Sequence, residues 1–247
     1  MTSDKNSWQG LVKDHLKKSV NPLIVILGPT ASGKTSFSIE LAKELGAQII
    51  NADSRQLFSG MDIGTAKVTK EEMRGVSHHL IDVLDPSNRA TSAWYKEEAQ
   101  KIIDQLHSDG KIPILVGGSM LYIASITDGL SFDENIRTEL RSPDAECKYD
   151  LFILGLGKER SETVVKINNR TEGLFAAGWI EEVQGLLDAG YTKDDPGMKA
   201  CGYREIIDYL QEGSDLEQLK NSITAKTRQY ARRQMTWWKG DTRIHWL

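Results

Sequence analysis

One eight-residue segment has the residue types and order of a phosphate-binding site: Gly28, Pro29, Thr30, Ala31, Ser32, Gly33, Lys34 and Thr35. It fits the pattern G-x-x-x-x-G-K-[ST], follows the apolar run Leu23–Leu27 and opens a helical pattern. In a strand–loop–helix of this kind, backbone N–H groups and the helix dipole hold an anion. Lys34 adds a charge, and the Thr35 hydroxyl can reach Mg²⁺. The segment predicts a bound phosphate or diphosphate, whose carrier the loop alone does not identify.

Two further polar groups follow apolar runs. Asp53-Ser54-Arg55-Gln56 follows Ala47–Asn51, and Gly117-Gly118-Ser119 follows Ile112–Val116. In an open parallel sheet, ligands gather at the carboxyl ends of the strands, so we expect both groups beside the phosphate loop. A carboxylate at Asp53 can accept a proton from a nucleophile or hold Mg²⁺ through water.

The pattern of apolar runs predicts an α/β fold. Strands are expected at Leu23–Leu27, Ala47–Asn51, His79–Val83, Ile112–Val116 and Leu151–Leu156. Helices are expected at Lys34–Leu45, Ser92–His107 and Ser119–Thr127, and then at Thr163–Ala177, Ile180–Ala189, Tyr203–Gln211 and Leu216–Trp238. Alternating strands and helices imply parallel pairing. We therefore predict a P-loop NTPase-like parallel sheet flanked by helices, with a helical C-terminal half.

Length and composition are those of an ordinary soluble protein. The chain has 247 residues and a net charge of −4, which suits one main domain and argues against indiscriminate nucleic-acid binding. Residues 1–20 are polar and lack the apolar segment of a signal peptide, so we expect a cytoplasmic protein without a membrane partner. Cys147 and Cys201 are expected to be reduced thiols, and no Cys/His cluster has zinc spacing.

The C-terminal segment Lys220–Leu247 is basic. It holds seven Lys and Arg residues against one acidic residue, Asp241, and it also carries Trp237, Trp238 and Trp246. Cations interleaved with aromatic side chains are typical of a nucleic-acid surface. A helix that packs its Trp residues on the core and turns its cations to solvent fits equally well. Composition leaves the two interpretations open.

Several motifs in order resemble the tRNA dimethylallyltransferases (tRNA isopentenyltransferases). Besides the phosphate loop, they are Asn51–Gln56, Met61–Lys67, His78–Val83, Val116–Tyr122, Gly202–Glu205 and Thr227–Gln234. The phosphate loop alone is generic, whereas the ordered set is specific and covers most of the chain from Leu23 to Leu247.

The resemblance implies that the phosphate loop holds dimethylallyl diphosphate, whose five-carbon group goes to N6 of the adenine at tRNA position 37. By motif, the catalytic residues are Asp53 as general base, Thr35 and Arg204. Thr35 also binds Mg²⁺, and Arg137 joins Arg204 in binding diphosphate or the RNA backbone. The adenine has to leave the anticodon-loop stack to react. The residues expected to contact it or the tRNA are Asp53, Ser54, Arg55, Gln56, Leu57, Ser119, Arg137, Lys199, Ala200, Cys201, Gly202, Tyr203 and Arg204.

The chain departs from this family pattern after Arg137. Similar enzymes have a helical insertion there that grips the anticodon stem, whereas only Thr138–Lys148 separates Arg137 from Tyr149 here. We therefore expect a compact, monomeric form: an extension over residues 1–20, and a prenyltransferase domain over 21–247 with a short linker at 133–148.

The missing insertion leaves the acceptor open. A compact enzyme acting on the tRNA anticodon stem-loop is favoured, because the Gly202–Glu205 and Thr227–Gln234 motifs are those of the tRNA enzymes. The alternative is transfer to a free adenine nucleotide such as AMP, which needs no stem clamp. An ATP-binding kinase or nucleotide hydrolase is less favoured, since no second carboxylate follows a strand. A non-catalytic RNA-binding relic is disfavoured by the intact Lys34, Thr35 and Asp53.

Overall fold

The structure, a computed structural model, describes residues 7–130, 147–157, 159–213 and 215–247. Within these residues the strands are β1 Pro22–Leu27, β2 Gln48–Ala52, β3 His78–His79, β4 Pro113–Gly117, β5 Asp150–Gly155 and β6 Ile244–Trp246. The helices are α1 Trp8–Lys18, α2 Lys34–Leu45, α3 Lys70–Met73, α4 Ser92–Ser108, α5 Met120–Thr127, α6 Arg160–Ala176, α7 Trp179–Asp188, α8 Tyr203–Glu212 and α9 Leu216–Trp238. The predicted α/β class is confirmed.

The six strands form one parallel sheet in the order β3-β2-β4-β1-β5-β6. The register places Gly117, the last residue of β4, beside both Leu27 of β1 and Ala52 of β2. A Cβ atom at Gly117 would lie 2.1 Å from the carbonyl oxygen of Ala52, so only glycine fits there. The segments that follow β1, β2 and β4 therefore leave the sheet side by side.

Side chains of β1 alternate between the two faces of the sheet, as successive strand residues must. Leu23, Val25 and Leu27 point into a core that includes Tyr95 and Ile103 of α4. Ile24 and Ile26 point into the opposite core, which includes Ile39 of α2. Residues Leu23–Leu27 of β1 are at most 2% exposed, which explains the unbroken apolar run.

A third apolar cluster joins the helical half to the sheet. Trp179 of α7, Tyr203 of α8 and Ile223 of α9 pack with Phe58 and Met61, which belong to the segment after β2. The helices therefore cover the carboxyl edge of the sheet rather than its face, and they form the second wall of the space above that edge.

The structure corrects two expectations and adds one short helix. The strand expected at His79–Val83 ends at His79, because Leu80 and Asp82 have φ of 58° and 55°, which is incompatible with an extended chain. The C-terminal half is not wholly helical, since β6 pairs in parallel with β5. The short helix α3 was not predicted.

The polar segment at residues 1–20 contains a helix that joins the core. In α1, Val12 is 1% exposed and packs with Ile24 and Ile26, while Trp8 and Leu16 flank it. The helix begins at a cap formed by Ser7, whose hydroxyl accepts from the N–H of Gly10 at 3.2 Å. The apolar stripe Trp8, Val12 and Leu16 has helical spacing, which the overall polarity of the segment masks.

The predicted division into extension, main domain and linker stays a prediction. Residues 133–146 of the linker lie outside the described residues. Across the described ranges, no helix is long and apolar enough to cross a membrane.

Substituting Val12 tests whether α1 contributes to the fold. Val12→Ala removes two methyl groups from a packed position, and we expect a loss of about 1.5–3 kcal/mol in the free energy of unfolding. Urea denaturation followed by circular dichroism measures it. Lys17→Ala on the exposed side of α1 is the control, with little expected change. Equal midpoints for both variants would contradict a core role for α1.

Candidate active site

The phosphate loop (Gly28–Thr35) joins β1 to α2 in a conformation that favours small residues. Gly28 has φ of 151°, and a Cβ atom there would lie 2.6 Å from the carbonyl oxygen of Leu156. Gly33 caps α2 with φ of 95°, and Ala31 has φ of 63°. Among the described residues, no group accepts from the N–H of Gly33, Lys34 or Thr35. The loop is therefore open to an anion at the positive end of α2.

Lys34 is held inside this loop. Its Nζ donates to the carbonyl oxygens of Gly28 at 3.0 Å and Pro29 at 2.7 Å. Burial lowers the pKa of Lys34 to about 8, the negative charge of Asp53 opposes this, and the positive charge of Arg170 adds to it. With a pKa of about 8 the ammonium group is mostly charged at neutral pH, but it loses its proton at a lower pH than an ordinary lysine does.

Asp53 follows β2 directly, and its backbone is fixed by Asn51. The Asn51 side chain accepts from the N–H of Asp53 at 3.0 Å and donates to its carbonyl oxygen at 3.1 Å. Oδ1 of Asp53 accepts from the N–H of Arg55 at 3.0 Å, whereas Oδ2 accepts no hydrogen bond from the described residues. One carboxylate oxygen is thus held in place and the other is free to accept a proton.

Arg170 of α6 is a site residue that the sequence interpretation missed. Its Nη2 donates to the carbonyl oxygen of Thr65 at 3.4 Å. Burial lowers the pKa of the guanidinium, and the negative charge of Asp53 opposes that shift. Lys34, Asp53 and Arg170 therefore share one electrostatic environment, with two cations for one carboxylate.

A cavity of about 870 Å³ opens between the carboxyl edge of the sheet and the helical half. Thr30 and Asp53 line it from the sheet side, and Arg170 lines it from α6. Its apolar wall consists of Ile167, Leu174, Trp179 and Ile223. The cavity offers positive charge next to an apolar surface, which suits a ligand that has one charged end and one hydrocarbon end.

A smaller cavity of about 310 Å³ adjoins the first one. Ser54, Arg55 and Tyr230 line both cavities, so the two spaces meet at these residues. The smaller cavity also has Ser119 and Tyr122 in its wall. Asp53 lines only the larger cavity, and the next residue, Ser54, lines both.

Helix α9 ties the phosphate loop to the segment after β4. The buried side chain of Gln234 accepts from the N–H of Thr30 at 2.9 Å and donates to the carbonyl oxygen of Gly118 at 2.8 Å. The hydroxyl of Tyr230 donates to the same carbonyl oxygen at 3.2 Å. Burial raises the pKa of Tyr230 to about 12, so the hydroxyl stays protonated and can donate.

The structure brings most of the predicted site residues together. The larger cavity is lined by Asp53, Ser54, Arg55, Lys199, Ala200, Cys201, Tyr203 and Arg204. Ser119 lines the smaller cavity and accepts from the N–H of Ser54 at 2.8 Å.

Other predicted residues are placed differently. Leu57 is fully buried in the core, and Gln56 turns away to donate to the carbonyl oxygen of Ala66 at 3.1 Å. Gly202 lines neither cavity; its N–H donates to Glu205 at 2.6 Å. The structure does not bring these three to the cavities, because consecutive residues leave a strand or turn in different directions. Arg137 lies outside the described residues.

Helix α9 shows which side chains of the basic C-terminal segment pack on the core and which face solvent. Trp238 is 3% exposed and belongs to the core, as the packing interpretation requires, whereas Trp237 is 44% exposed. Arg232 and Arg233 are exposed, and neither forms an ion pair in the part of the chain that the structure describes. Arg233 also lines the larger cavity.

A sequence model of the family described as IPP transferase matches residues 56–148 and 138–241. The tRNA dimethylallyltransferase of Geobacter sulfurreducens is 36% identical over an alignment that covers 93% of this chain and 92% of that protein. This chain belongs to the tRNA dimethylallyltransferase family.

Solved structures agree with this membership. A tRNA isopentenylpyrophosphate transferase from Bacillus halodurans superposes with a TM-score of 0.83 at 32% identity, over 92% of this chain and 89% of that one. A second structure, from Staphylococcus epidermidis, also gives 0.83 and 32%, over 92% of each chain. The P-loop NTPase-like fold is thus confirmed over nearly the whole chain.

Arg170 carries a detectable signal in the sequence, and Gln234 does not. Ile167, Arg170, Thr171 and Leu174 share one face of a helix by their spacing, and an arginine on a largely apolar face needs an anion or carbonyl partner. Gln234 ends the Thr227–Gln234 motif, but a glutamine has no single chemical role, so its clamp between two loops was not predictable.

The pKa of Lys34 predicts a pH dependence of diphosphate binding. Below pH 8 the ammonium is charged and the affinity should be constant; above about pH 8 binding has to recharge it, so affinity should fall by up to about tenfold per pH unit. Calorimetry with a non-transferable diphosphate ester between pH 7 and about pH 9.5 measures this.

Lys34→Met is the control for this prediction. It removes the titrating group, so the affinity should be lower at pH 7 and should not change across the same range. An unchanged slope in Lys34→Met would assign the pH dependence to another group.

Proposed function

We propose that this chain transfers the dimethylallyl group of dimethylallyl diphosphate to N6 of adenine at tRNA position 37 and releases diphosphate. The observation that carries the proposal is the grouping of Asp53 and Arg170, which line one cavity, with Lys34, whose pKa is influenced by the charges of both. Asp53 supplies a base that can take the proton of the acceptor, and Lys34 and Arg170 supply the positive charge that stabilises the leaving diphosphate. Relatives named tRNA dimethylallyltransferase, at 33–36% identity, support the same reaction.

The transfer breaks the bond between C1 of the dimethylallyl group and the diphosphate oxygen, and it forms a bond between C1 and adenine N6. Negative charge grows on the departing diphosphate, where the phosphate loop N–H groups, Lys34 and Arg170 stabilise it. The adenine amine is a weak nucleophile because its lone pair is delocalised into the ring. The free oxygen of Asp53 accepts the proton that N6 loses.

The residues at the diphosphate end fit Mg²⁺. The Thr35 side chain is exposed, and its hydroxyl bonds to no group among the described residues. Mg²⁺ is commonly held by one or two protein oxygens together with substrate phosphates and water. The fit therefore does not require a cluster of metal-binding side chains, and the described ranges contain none. When bound, the ion neutralises charge on the diphosphate, with Thr35 as its protein ligand.

We assign two of the arginines that line the larger cavity, Arg170 and Arg204, to different partners. Arg170 is deeply placed beside Lys34 and Asp53, which suits the diphosphate. Arg204 is exposed at the cavity, which suits a backbone phosphate of the RNA. Arg55, Lys199 and Arg233 add positive charge around the same opening. A tRNA acceptor leads us to expect the enzyme in the cytoplasm.

We also propose that the chain is a compact member of its family. The alignment with the Geobacter sulfurreducens relative runs over 287 positions, whereas this chain has 247 residues. At least 40 positions of the relative therefore have no counterpart in this chain. The two matches to the family model meet at residues 138–148, where the insertion is expected to be missing. RNA binding then depends on the cations of the cavity rim and of α9.

A phosphoryl-transfer function is less well supported. Kinases and nucleotide hydrolases of this fold class hold Mg²⁺ with a second carboxylate near the loop. The strands on either side of β1 do not end in a carboxylate of this kind. Strand β4 runs into Gly117-Gly118-Ser119, and β5 runs into Gly155-Leu156-Gly157.

Substituting Asp53 tests the general-base assignment. Asp53→Asn keeps the shape and the hydrogen bond to the N–H of Arg55 but cannot accept the proton. We expect the single-turnover rate of transfer to fall by roughly 10²–10⁴-fold, while the donor still binds. Asp194→Asn, on an exposed loop, is the control and should retain the full rate. Near-normal transfer by Asp53→Asn would contradict the assignment.

A competition experiment tests the acceptor. The unmodified protein is given labelled dimethylallyl diphosphate with unmodified tRNA and AMP in the same mixture. We expect label in tRNA, and digestion should place it on N6 of the adenine at position 37. Label in AMP alone would make the chain a free-nucleotide transferase, and hydrolysis of ATP without label transfer would favour the phosphoryl-transfer alternative.

A further inference from the structure

Glu182 of α7 binds four hydrogen-bond donors at once. Its Oε2 accepts from the N–H groups of Asp62 at 2.7 Å and Ile63 at 2.6 Å. Its Oε1 accepts from the N–H of Gly64 at 3.1 Å and from the hydroxyl of Tyr203 at 2.6 Å. Glu182 is half-buried and forms no ion pair with the described Lys and Arg residues. The carboxylate is therefore committed to holding backbone rather than to balancing a side-chain cation.

The tyrosine is a donor in this arrangement. Burial, and then the adjacent Glu182 carboxylate, keep the pKa of Tyr203 well above its usual value. All four partners of Glu182 therefore present hydrogens, and only a carboxylate offers enough acceptor sites for them.

The loop held by Glu182 leads directly to the diphosphate end of the cavity. Thr65 follows Gly64, and its carbonyl oxygen accepts from Nη2 of Arg170 at 3.4 Å. Gly64 and Thr65 both line the larger cavity. Across the described ranges, this is the one side-chain hydrogen bond of Arg170, which has no carboxylate within ion-pair distance there. The direction of the guanidinium therefore depends on where the Thr65 carbonyl points.

Helix α7 holds the same loop by packing as well. A Cβ atom at Gly64 would lie 1.9 Å from Nε1 of Trp179, so the loop backbone rests against the indole ring. The far end of the loop is anchored separately, because the buried Lys67 pairs with Asp62 at 2.6 Å and donates to the carbonyl oxygen of Phe58 at 2.7 Å. The loop thus keeps two anchors when Glu182 is altered.

We propose that Glu182 is a positioning residue for the diphosphate site: it fixes Asp62–Gly64 and thereby aims the Thr65 carbonyl that orients Arg170. The ligand in this inference rests on the proposed function. Glu182 itself touches no reacting atom, and its effect on the diphosphate passes through Arg170 alone.

Glu182→Gln is the sharpest test of this role. An amide nitrogen at the Oε2 position would face two N–H groups, so the side chain should turn its nitrogen towards Gly64 and Tyr203. The tyrosine hydroxyl can accept from that nitrogen, whereas the N–H of Gly64 loses its partner next to Thr65. We expect the affinity for inorganic pyrophosphate to fall roughly tenfold, as measured by calorimetry at pH 7.

A double-mutant cycle separates positioning from general destabilisation. In an Arg170→Ala background, Glu182→Gln should change the pyrophosphate affinity by less than about twofold, because the residue through which it acts is gone. An equal, additive loss in both backgrounds would overturn the proposal, and so would an unchanged affinity in the single variant. Glu181→Gln, one position earlier on α7 and exposed, is the matched control; a tenfold loss there would assign the effect to helix charge.

Glu182→Asp covers the case in which the glutamine variant does not fold. Aspartate keeps the negative charge and the acceptor oxygens but places them one methylene farther from the Asp62–Gly64 backbone. The pyrophosphate affinity should therefore again fall only when Arg170 is present. The readout requires no tRNA and no transfer. If the unmodified chain binds pyrophosphate and the losses in the two variants add, only the proposed role of Glu182 is refuted. If the unmodified chain does not bind pyrophosphate, the proposed donor site is refuted, and this inference fails with it.

Discussion

Lys34 and Arg170 are both partly buried near the carboxylate of Asp53, and the rest of the site depends on this local surplus of positive charge. Desolvation disfavours both charges, and Asp53 compensates for one of them. A diphosphate supplies the missing negative charge and turns the unfavourable pair of cations into the groups that stabilise its departure. Binding and leaving-group stabilisation therefore use the same atoms.

The sheet makes this arrangement possible because its strands are in fixed register. Gly117 lies against both Leu27 and Ala52, so the phosphate loop, Asp53 and Ser119 leave the sheet as neighbours. Gln234 then ties the loops after β1 and β4 to α9 through two buried hydrogen bonds. The helical half is thus part of the site, since it supplies Arg170 and the clamp.

The local patterns predicted the elements that have a strong period. Helices α2 and α9 have the predicted bounds, because each has a regular apolar spacing and a clear start. Helix α1 was hidden in a polar segment in which Trp8, Val12 and Leu16 share one face. Strand β6 was hidden because three residues at an edge have no period of their own and take their conformation from β5.

The sequence by itself determined the donor end of this protein: the phosphate loop, Asp53 after its strand, and the ordered motifs of the family are local in the chain. Only the tertiary structure decided which distant side chains complete the site. The charge of Arg170 is influenced by Asp53, and Gln234 bonds to Thr30, across separations of more than one hundred residues, and no local pattern encodes such pairings. It also removed Leu57 and Gln56 from the cavities, because the direction of a side chain is set by the backbone conformation and packing around it.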